Sequence, residues 1–182
     1  MTNFAGGRTQ ERGRGRFLEQ KEFDQRILDL ARVTRVTKGG KRMRFRTCVI
    51  IGDRKGRVGY GVAKGADVAA SVNKAVTQAK KRMINVLIIN GTIPHAVHQK
   101  FSAASIIIKP APKGTGIKAG GAIRVVLELA GVPNAVGKIL GSNNKINNAK
   151  ATMKALQSLM KPLLKAKPVA EEQNAVGEAV QK

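Results

Sequence analysis

The chain of 182 residues carries 34 Lys and Arg against 11 Asp and Glu, a formal charge of +23 with a pI near 11.1. Its 42% hydrophobic content supplies a core for one domain or two small ones, while 3% aromatics without tryptophan argue against recognition by rows of stacked bases. A single cysteine excludes a disulfide framework or a thiolate zinc cluster, no apolar run approaches the ~20 residues of a membrane span, and the opening Met-Thr-Asn-Phe-Ala lacks a secretory apolar core.

A charge this far from zero points to a polyanionic partner. Residues 1–60 hold 16 Lys and Arg, of which 12 are Arg, whereas 16 of the 18 bases in residues 61–182 are Lys. The planar guanidinium matches phosphate oxygens in pairs, whereas the lysine ammonium is a hydrated point charge. The first third is therefore expected to form a shaped recognition surface, and the remainder a generally basic body. Between Val68 and Ala170 the single acid is Glu128. Glycoside hydrolysis needs two carboxylates, and magnesium-dependent phosphoryl transfer needs a metal-holding acid beside the phosphates. No catalytic residue, cofactor or metal is assigned.

Gly6-Gly7-Arg8 and Arg12-Gly13-Arg14-Gly15-Arg16 have great backbone freedom and no apolar anchor, so residues 1–24 are expected to be a flexible Gly/Arg-rich tail that phosphate orders. Residues 27–36 read as a strand whose alternation slips once, the mark of a bulge. The loop Thr37–Lys41 follows. Over 42–51 alternation is clean, with Phe45, Thr47, Val49 and Ile51 on one face and Arg42, Arg44 and Arg46 on the other. Period-two spacing sets these guanidinium groups about 7 Å apart, close to the spacing of successive phosphates.

Gly52-Asp53-Arg54-Lys55-Gly56 reads as a hairpin turn into a strand from Arg57. Val58, Tyr60 and Val62 share its core face, leaving Gly59 and Gly61 opposite, where a protein or nucleic-acid backbone can approach closely. Asp67 is expected to cap a helix to about Arg82 or Met83, with Val68, Val72, Ala75, Val76, Ala79 and Met83 as its apolar stripe. Lys80-Lys81-Arg82 reads equally as an RNA contact or a solvated helix end. This first unit, β-β-β-α, spans 25–85.

A second unit spans 86–160. Val86–Ile89 reads as a strand, Asn90-Gly91 as a tight turn and Ala104–Lys109 as a buried strand. A basic Gly-rich loop leads into a helix over about 122–130, stopped by Gly131 and Pro133. A short piece, Val136–Leu140, precedes a last helix capped near Ser142 or Asn143, with Ile146, Ala149, Met153, Leu156 and Met160 on one side. The order argues for an α+β layer. Residues 161–182 read as a loose tail.

Gly114-Thr115-Gly116 lies where a phosphate-cradling loop belongs, after a strand and before a helix. The full spacing is G-x-G-x-x-x-G, however, and no ribose-holding acid follows at the usual distance. An anion-friendly loop or a glycine-allowed protein contact is the better reading. His95 and His98 lack a third ligand, and Cys48 falls by alternation on the Arg face, so neither a metal site nor a Cys-His nucleophile is assigned. A kinase-like protein using this loop and a free-standing RNA chaperone are the alternatives to a structural RNA-binding protein.

Lys38-Gly39-Gly40-Lys41, Arg42–Phe45 and Gly52-Asp53-x-x-Gly56-x-Val58-Gly59-x-Gly61-x-x-Lys64 closely resemble the bacterial ribosomal protein S-five family. The resemblance continues through Asn90-Gly91-Thr92, Gly114-Thr-Gly-Ile117, Ala119–Arg124, Leu127-Glu-x-Ala-Gly131 and Gly141-Ser-x-Asn144, covering roughly 25–160. It implies an N-terminal domain similar to double-stranded-RNA-binding domains and a C-terminal α+β domain with a βαβ crossover. It further implies a cytoplasmic, ribosome-bound protein that contacts 16S ribosomal RNA, ribosomal proteins S-four and S-eight and the side where messenger RNA enters, with an influence on assembly and decoding accuracy. The stretch from Arg32 to Arg42 matches the family's spectinomycin-associated loop. Together with the Arg row, the expected RNA-binding set is Arg32, Thr34, Arg35, Lys38, Gly39, Gly40, Lys41, Arg42, Arg44, Arg46, Arg54, Lys55 and Arg57. Gly114, Thr115, Gly116 and Arg124 match the accuracy-linked interface toward S-four.

Overall fold

Three antiparallel strands, β1 (Asp24–Thr37), β2 (Gly40–Gly52) and β3 (Arg57–Gly65), open the fold in a computed structural model that describes residues 23–160. The expected tails at 1–24 and 161–182 lie outside these residues except for Phe23 and Asp24, and Asp24 opens β1 instead of ending the tail. The β1–β2 connection is tighter than the expected five-residue loop: Thr37 already pairs with Gly40, leaving Lys38-Gly39 as the turn. The β1 register slips between Ile27 and Asp29, within the segment whose alternation predicts a bulge. β4 (Met83–Asn85) then joins the outer edge of β3, pairing with Arg57–Gly59 only. The expected strand at Val86–Ile89 is therefore absent; hydrogen bonding is offered three residues earlier, and Val86 is instead tied by its N–H to the Gly56 carbonyl at 2.7 Å.

Helix α1 (Val68–Lys80) covers one face of this sheet. Val49, Ile51, Ala63, Ala75 and Ala79 are buried between them, and the Thr47 and Ser71 hydroxyls share a buried hydrogen bond of 2.6 Å. Gly59 and Gly61 are what lets the helix come so close, because a Cβ at Gly61 would collide with the Ala75 carbonyl and one at Gly59 would lie 2.5 Å from the Ala79 carbonyl. The close backbone approach is thus made by the chain's own helix. Asp67 sits at the N-cap in extended conformation, but its side chain makes no capping bond.

The second sheet has the order β5-β6-β8-β7, with β5 (Val97–Phe101), β6 (Ala104–Pro110), β7 (Ile117–Lys118) and β8 (Ala135–Gly141). Only β7 and β8 run parallel, joined through α2 (Gly121–Ala130) as the expected βαβ unit. β5 has no counterpart among the expected elements: Val-His-Gln-Lys-Phe alternates too weakly to announce a strand. The last helix, α3 (Lys145–Gln157), is capped by Asn144, whose Oδ1 accepts from the Ile146 and Asn147 N–H groups at 3.0 and 3.4 Å. Met160, expected on its apolar side, lies beyond its end and is exposed.

These elements make a β-rich N-terminal domain and an α+β C-terminal domain, and the two share a core. Ile106, Ile108, Ile123, Val126, Leu127 and Leu156 pack with Ile50 and Val58 of the first sheet. Each such fully buried side chain contributes about 1.5–3 kcal/mol. The face expected to carry the Arg row is therefore divided along its length. Arg42 and Arg44 are exposed on it, whereas Cys48 and Ile50, on the same face, are buried. Val58 and Tyr60 face the second domain, so the expected core face of β3 is a core, but one made with α2 and α3 rather than with α1.

Candidate nucleic-acid interface

From about Arg32 to Arg44, β1 and β2 leave the body as a two-stranded ribbon in which Arg32, Thr34, Arg35, Lys38, Gly39, Gly40, Lys41, Arg42 and Arg44 are all exposed. Cross-strand partners share a face. Arg35 stands opposite Arg42, and Val33 opposite Arg44, so Arg35, Arg42 and Arg44 line one face. Arg32, Thr34 and Lys41 line the other, together with the exposed apolar Val36 and Met43. A directly opposed Arg pair repels, and among the described residues no carboxylate pairs with either member. In water that repulsion is small, and an anion bound between the two would relieve it further.

Arg46 departs from the expected row. It is half-buried, and its guanidinium meets the Asp29 carboxylate at 3.4 Å, while its Nε is buried without a partner. Two guanidinium groups of β2, not three, are therefore available, with Arg35 of β1 taking the third place. Asp29 and Lys150 are the charges that also act on Cys48. Burial first, and then the Asp29 charge, push the Cys48 thiol up to about 11, so it is inert on its buried strand.

Arg54, Lys55 and Arg57 lie at the other end of the sheet. β2 has 13 residues and so places them about 40 Å from the hairpin tip. Asp53 organises their turn by accepting the Lys55 and Arg57 N–H groups at 2.7 and 3.0 Å and the Arg57 Nε at 2.7 Å. Partial burial works to raise its pKa, but the Arg57 side-chain bond, the two backbone donors and the Arg57 charge outweigh it and hold the carboxyl below its usual range. Arg54 is paired with Asp24 at 2.8 Å. The turn backbone is bonded to the end of α2, Arg54 N–H to the Leu129 carbonyl at 3.0 Å and Gly56 N–H to the Ala130 carbonyl at 2.9 Å. Two of these three cations are thus occupied by carboxylates, and the turn docks protein on protein.

The glycine loop is also occupied from within. Asn134 is buried, and its Oδ1 accepts both the Gly114 and Gly116 N–H groups at 3.1 Å while its Nδ2 donates to the Gly91 carbonyl at 3.3 Å. The Thr92 hydroxyl closes the knot by donating to the Asn134 carbonyl at 2.8 Å. Donors turned toward Asn134 cannot cradle a phosphate. Thr115 and the two glycines remain at the surface as a rigid bend, with Gly114 and Gly116 at φ of +90° and +71°. Arg124 is bonded to Glu128 at 2.9 Å, and the other oxygen of Glu128 meets Arg26 at 3.0 Å, which ties α2 to β1. The lone acid of the chain's middle is thereby a strut between domains. His98 bonds to Ser105 at 2.8 Å, and among the described residues no group of three His, Cys, Asp or Glu could hold a metal ion.

Sequence reasoning missed Asn134 because one Asn after a proline reads as turn chemistry, and its partners lie 18 to 43 residues away. It also missed Asp29 as the partner of Arg46, since a bulge shifts the register that would have shown it.

An exposed basic hairpin on a sheet-and-helix domain, buttressed by a second α+β domain, defines a nucleic-acid-binding class of protein, and comparison narrows it. Residues 23–87 match the family model for the N-terminal domain of ribosomal protein S5, and residues 99–172 that for its C-terminal domain. The small ribosomal subunit protein uS5 of Thermotoga neapolitana is 45% identical over 84% of this chain and 85% of its own length. That of Thermotoga maritima is 44% identical over 82% and 84%. The uS5c protein of Spinacia oleracea is 49% identical over 75% of this chain and 45% of its own length. The chain belongs to the ribosomal protein S5 family.

Proposed function

We propose that the chain is a non-catalytic structural component of the small ribosomal subunit in the cytoplasm, and that it grips 16S ribosomal RNA with the β1–β2 hairpin. The observation that carries this reading is the opposed pair of Arg35 and Arg42, with Arg44 beside them and no carboxylate paired to any of the three among the described residues. The shared core beneath the first sheet supports it, because a ribbon presents fixed charges only when its base is rigid. Readout is by phosphate position and RNA shape, since among the described residues the exposed hairpin carries no aromatic side chain. The division of labour follows the two domains, with the boundary near residue 85. The bend at Gly114–Gly116 and the neighbouring α2 surface face ribosomal protein S-four, S-eight adjoins the second domain, and the hairpin end lies toward the side where messenger RNA enters. Through these contacts the protein contributes to subunit assembly and to decoding accuracy.

The test is the salt dependence of binding to a 16S ribosomal RNA transcript. Each phosphate contact contributes roughly 0.7–0.9 to the slope of log affinity against log salt. Replacing Arg35, Arg42 and Arg44 together by Gln is expected to reduce that slope by about 2 to 3 while leaving the melting temperature nearly unchanged. An unaltered slope would remove the hairpin from the interface.

A further inference from the structure

β3 is covered by β4 only from Arg57 to Gly59, so its second half, Tyr60 to Gly65, is an open sheet edge. A cleft of about 720 Å³ wraps around that edge and is lined by Arg44 and Lys64 from the sheet and by Lys74, Gln78, Lys81 and Arg82 from the helix side. Five of these side chains are cationic and exposed, and among the described residues no carboxylate lines the cleft. The cleft lies on the side of the first sheet where β4 stops, away from the β1–β2 turn. A smaller cavity of about 290 Å³ shares Arg82 with it and continues the positive strip to Lys150 and Lys154 of α3.

We infer that this strip is a second track for an RNA backbone, separate from the hairpin turn and running along the open edge of β3 toward α3. The inference rests on the RNA-binding reading given above. An open edge could also accept a strand from a protein partner. Here the Val62 N–H on that edge is already bonded to the Gln78 Oε1 at 2.9 Å, which blunts the edge against strand pairing. What remains is a row of ammonium and guanidinium groups at several heights, on both sides of the strand. That arrangement suits phosphates that follow one another along a chain. Lys81 and Arg82 thereby act as a contact rather than as a solvated helix end.

The experiment uses the full chain with Lys64, Lys81 and Arg82 replaced together by Gln, titrated against a 16S ribosomal RNA transcript over a range of salt. Denaturant midpoints establish that the variant is folded, and the charge-keeping K64R/K81R/R82K variant serves as its control. The expected result is a slope lowered by about 2, restored in the control, and additive with the loss caused by substituting Arg35 and Arg42 alone, Arg44 being common to the two surfaces. Additivity follows if the two tracks engage separate phosphates. A wild-type slope in the Gln variant overturns the second track while leaving the hairpin reading intact. The second track is overturned too if that variant keeps its RNA slope but loses binding to polyglutamate, which would assign the cleft to an acidic protein segment. If the unmodified chain shows no salt-dependent binding to the transcript, both readings fall together.

Discussion

Among the described residues Arg35, Arg42 and Arg44 at the free end of the first sheet have no carboxylate partner, whereas about 40 Å along β2 the cations Arg54 and Arg57 are paired with Asp24 and Asp53. The residue type is the same at both ends; the supply of acids is not. Among the described residues Asp24, Asp29, Asp53 and Glu128 all sit in ion pairs, and all of them lie near the junction of the domains. The arginine members of those pairs keep 36–66% of their side chains in solvent, so each pair contributes at most about 1 kcal/mol. What fixes the turn is the pair of backbone bonds to Leu129 and Ala130 over a buried Gly56. The lesson is that scarce carboxylates convert some of the arginines into structure and leave the remainder as a surface for an anion from outside.

The sharpest way to break this contrast is to undock the paired end. Gly131 ends α2 at a φ of +81°, and a Cβ there would run into the Arg54 carbonyl. Gly131→Ala is expected to destabilise the protein by about 2–4 kcal/mol, read from the denaturant midpoint, because it adds strain to a packed junction. Below its unfolding transition the same variant should keep the wild-type salt slope for RNA, since the hairpin is distant.

Asp53 gives a pH test of the paired end. Its lowered pKa means that its ionised form stabilises the fold above the ordinary carboxylate range of about 4, and that this contribution is lost as the pH falls through the lowered value. Asp53→Asn should cost about 1–2 kcal/mol at neutral pH through the weakened bonds to Lys55 and Arg57. Its stability should then decline less than that of the unmodified protein as the pH is lowered below 4, where the difference between the two closes.

The smallest effects come from two neighbours on one strand. Arg46→Gln is expected to lower stability by about 1 kcal/mol, because Asp29 loses the nearer of its two cations and keeps only Lys145 at 3.9 Å, with little change in the RNA salt slope. Arg42→Gln should do the reverse, shifting the slope by just under 1 and stability by less than about 0.5 kcal/mol. Equal behaviour of the two variants would erase the distinction between the ends.

Alternation in 42–51 assigned the two faces of β2 correctly, because a strand's period needs only local sequence. It could not say what would cover each face. Ile50 lies on the arginine face, and its burial depends on α2 and α3, elements more than seventy residues further on. Gly131 and Asn90-Gly91 were legible for the opposite reason: positive φ at these residues is a local demand that glycine and asparagine meet. Of the candidate site, the exposed hairpin could be traced from its residues, but the withdrawal of Arg46 and the occupation of the Gly114–Gly116 donors rest on Asp29 and Asn134, partners that only folding brings close.

The most direct test of the hairpin's role is a cryo-EM map of the assembled small subunit containing this chain. The account predicts the guanidinium groups of Arg42 and Arg44 within about 4 Å of RNA phosphate oxygens, with Arg46 still turned to Asp29. Both arginines directed into solvent, with no nucleotide near the hairpin, would contradict it.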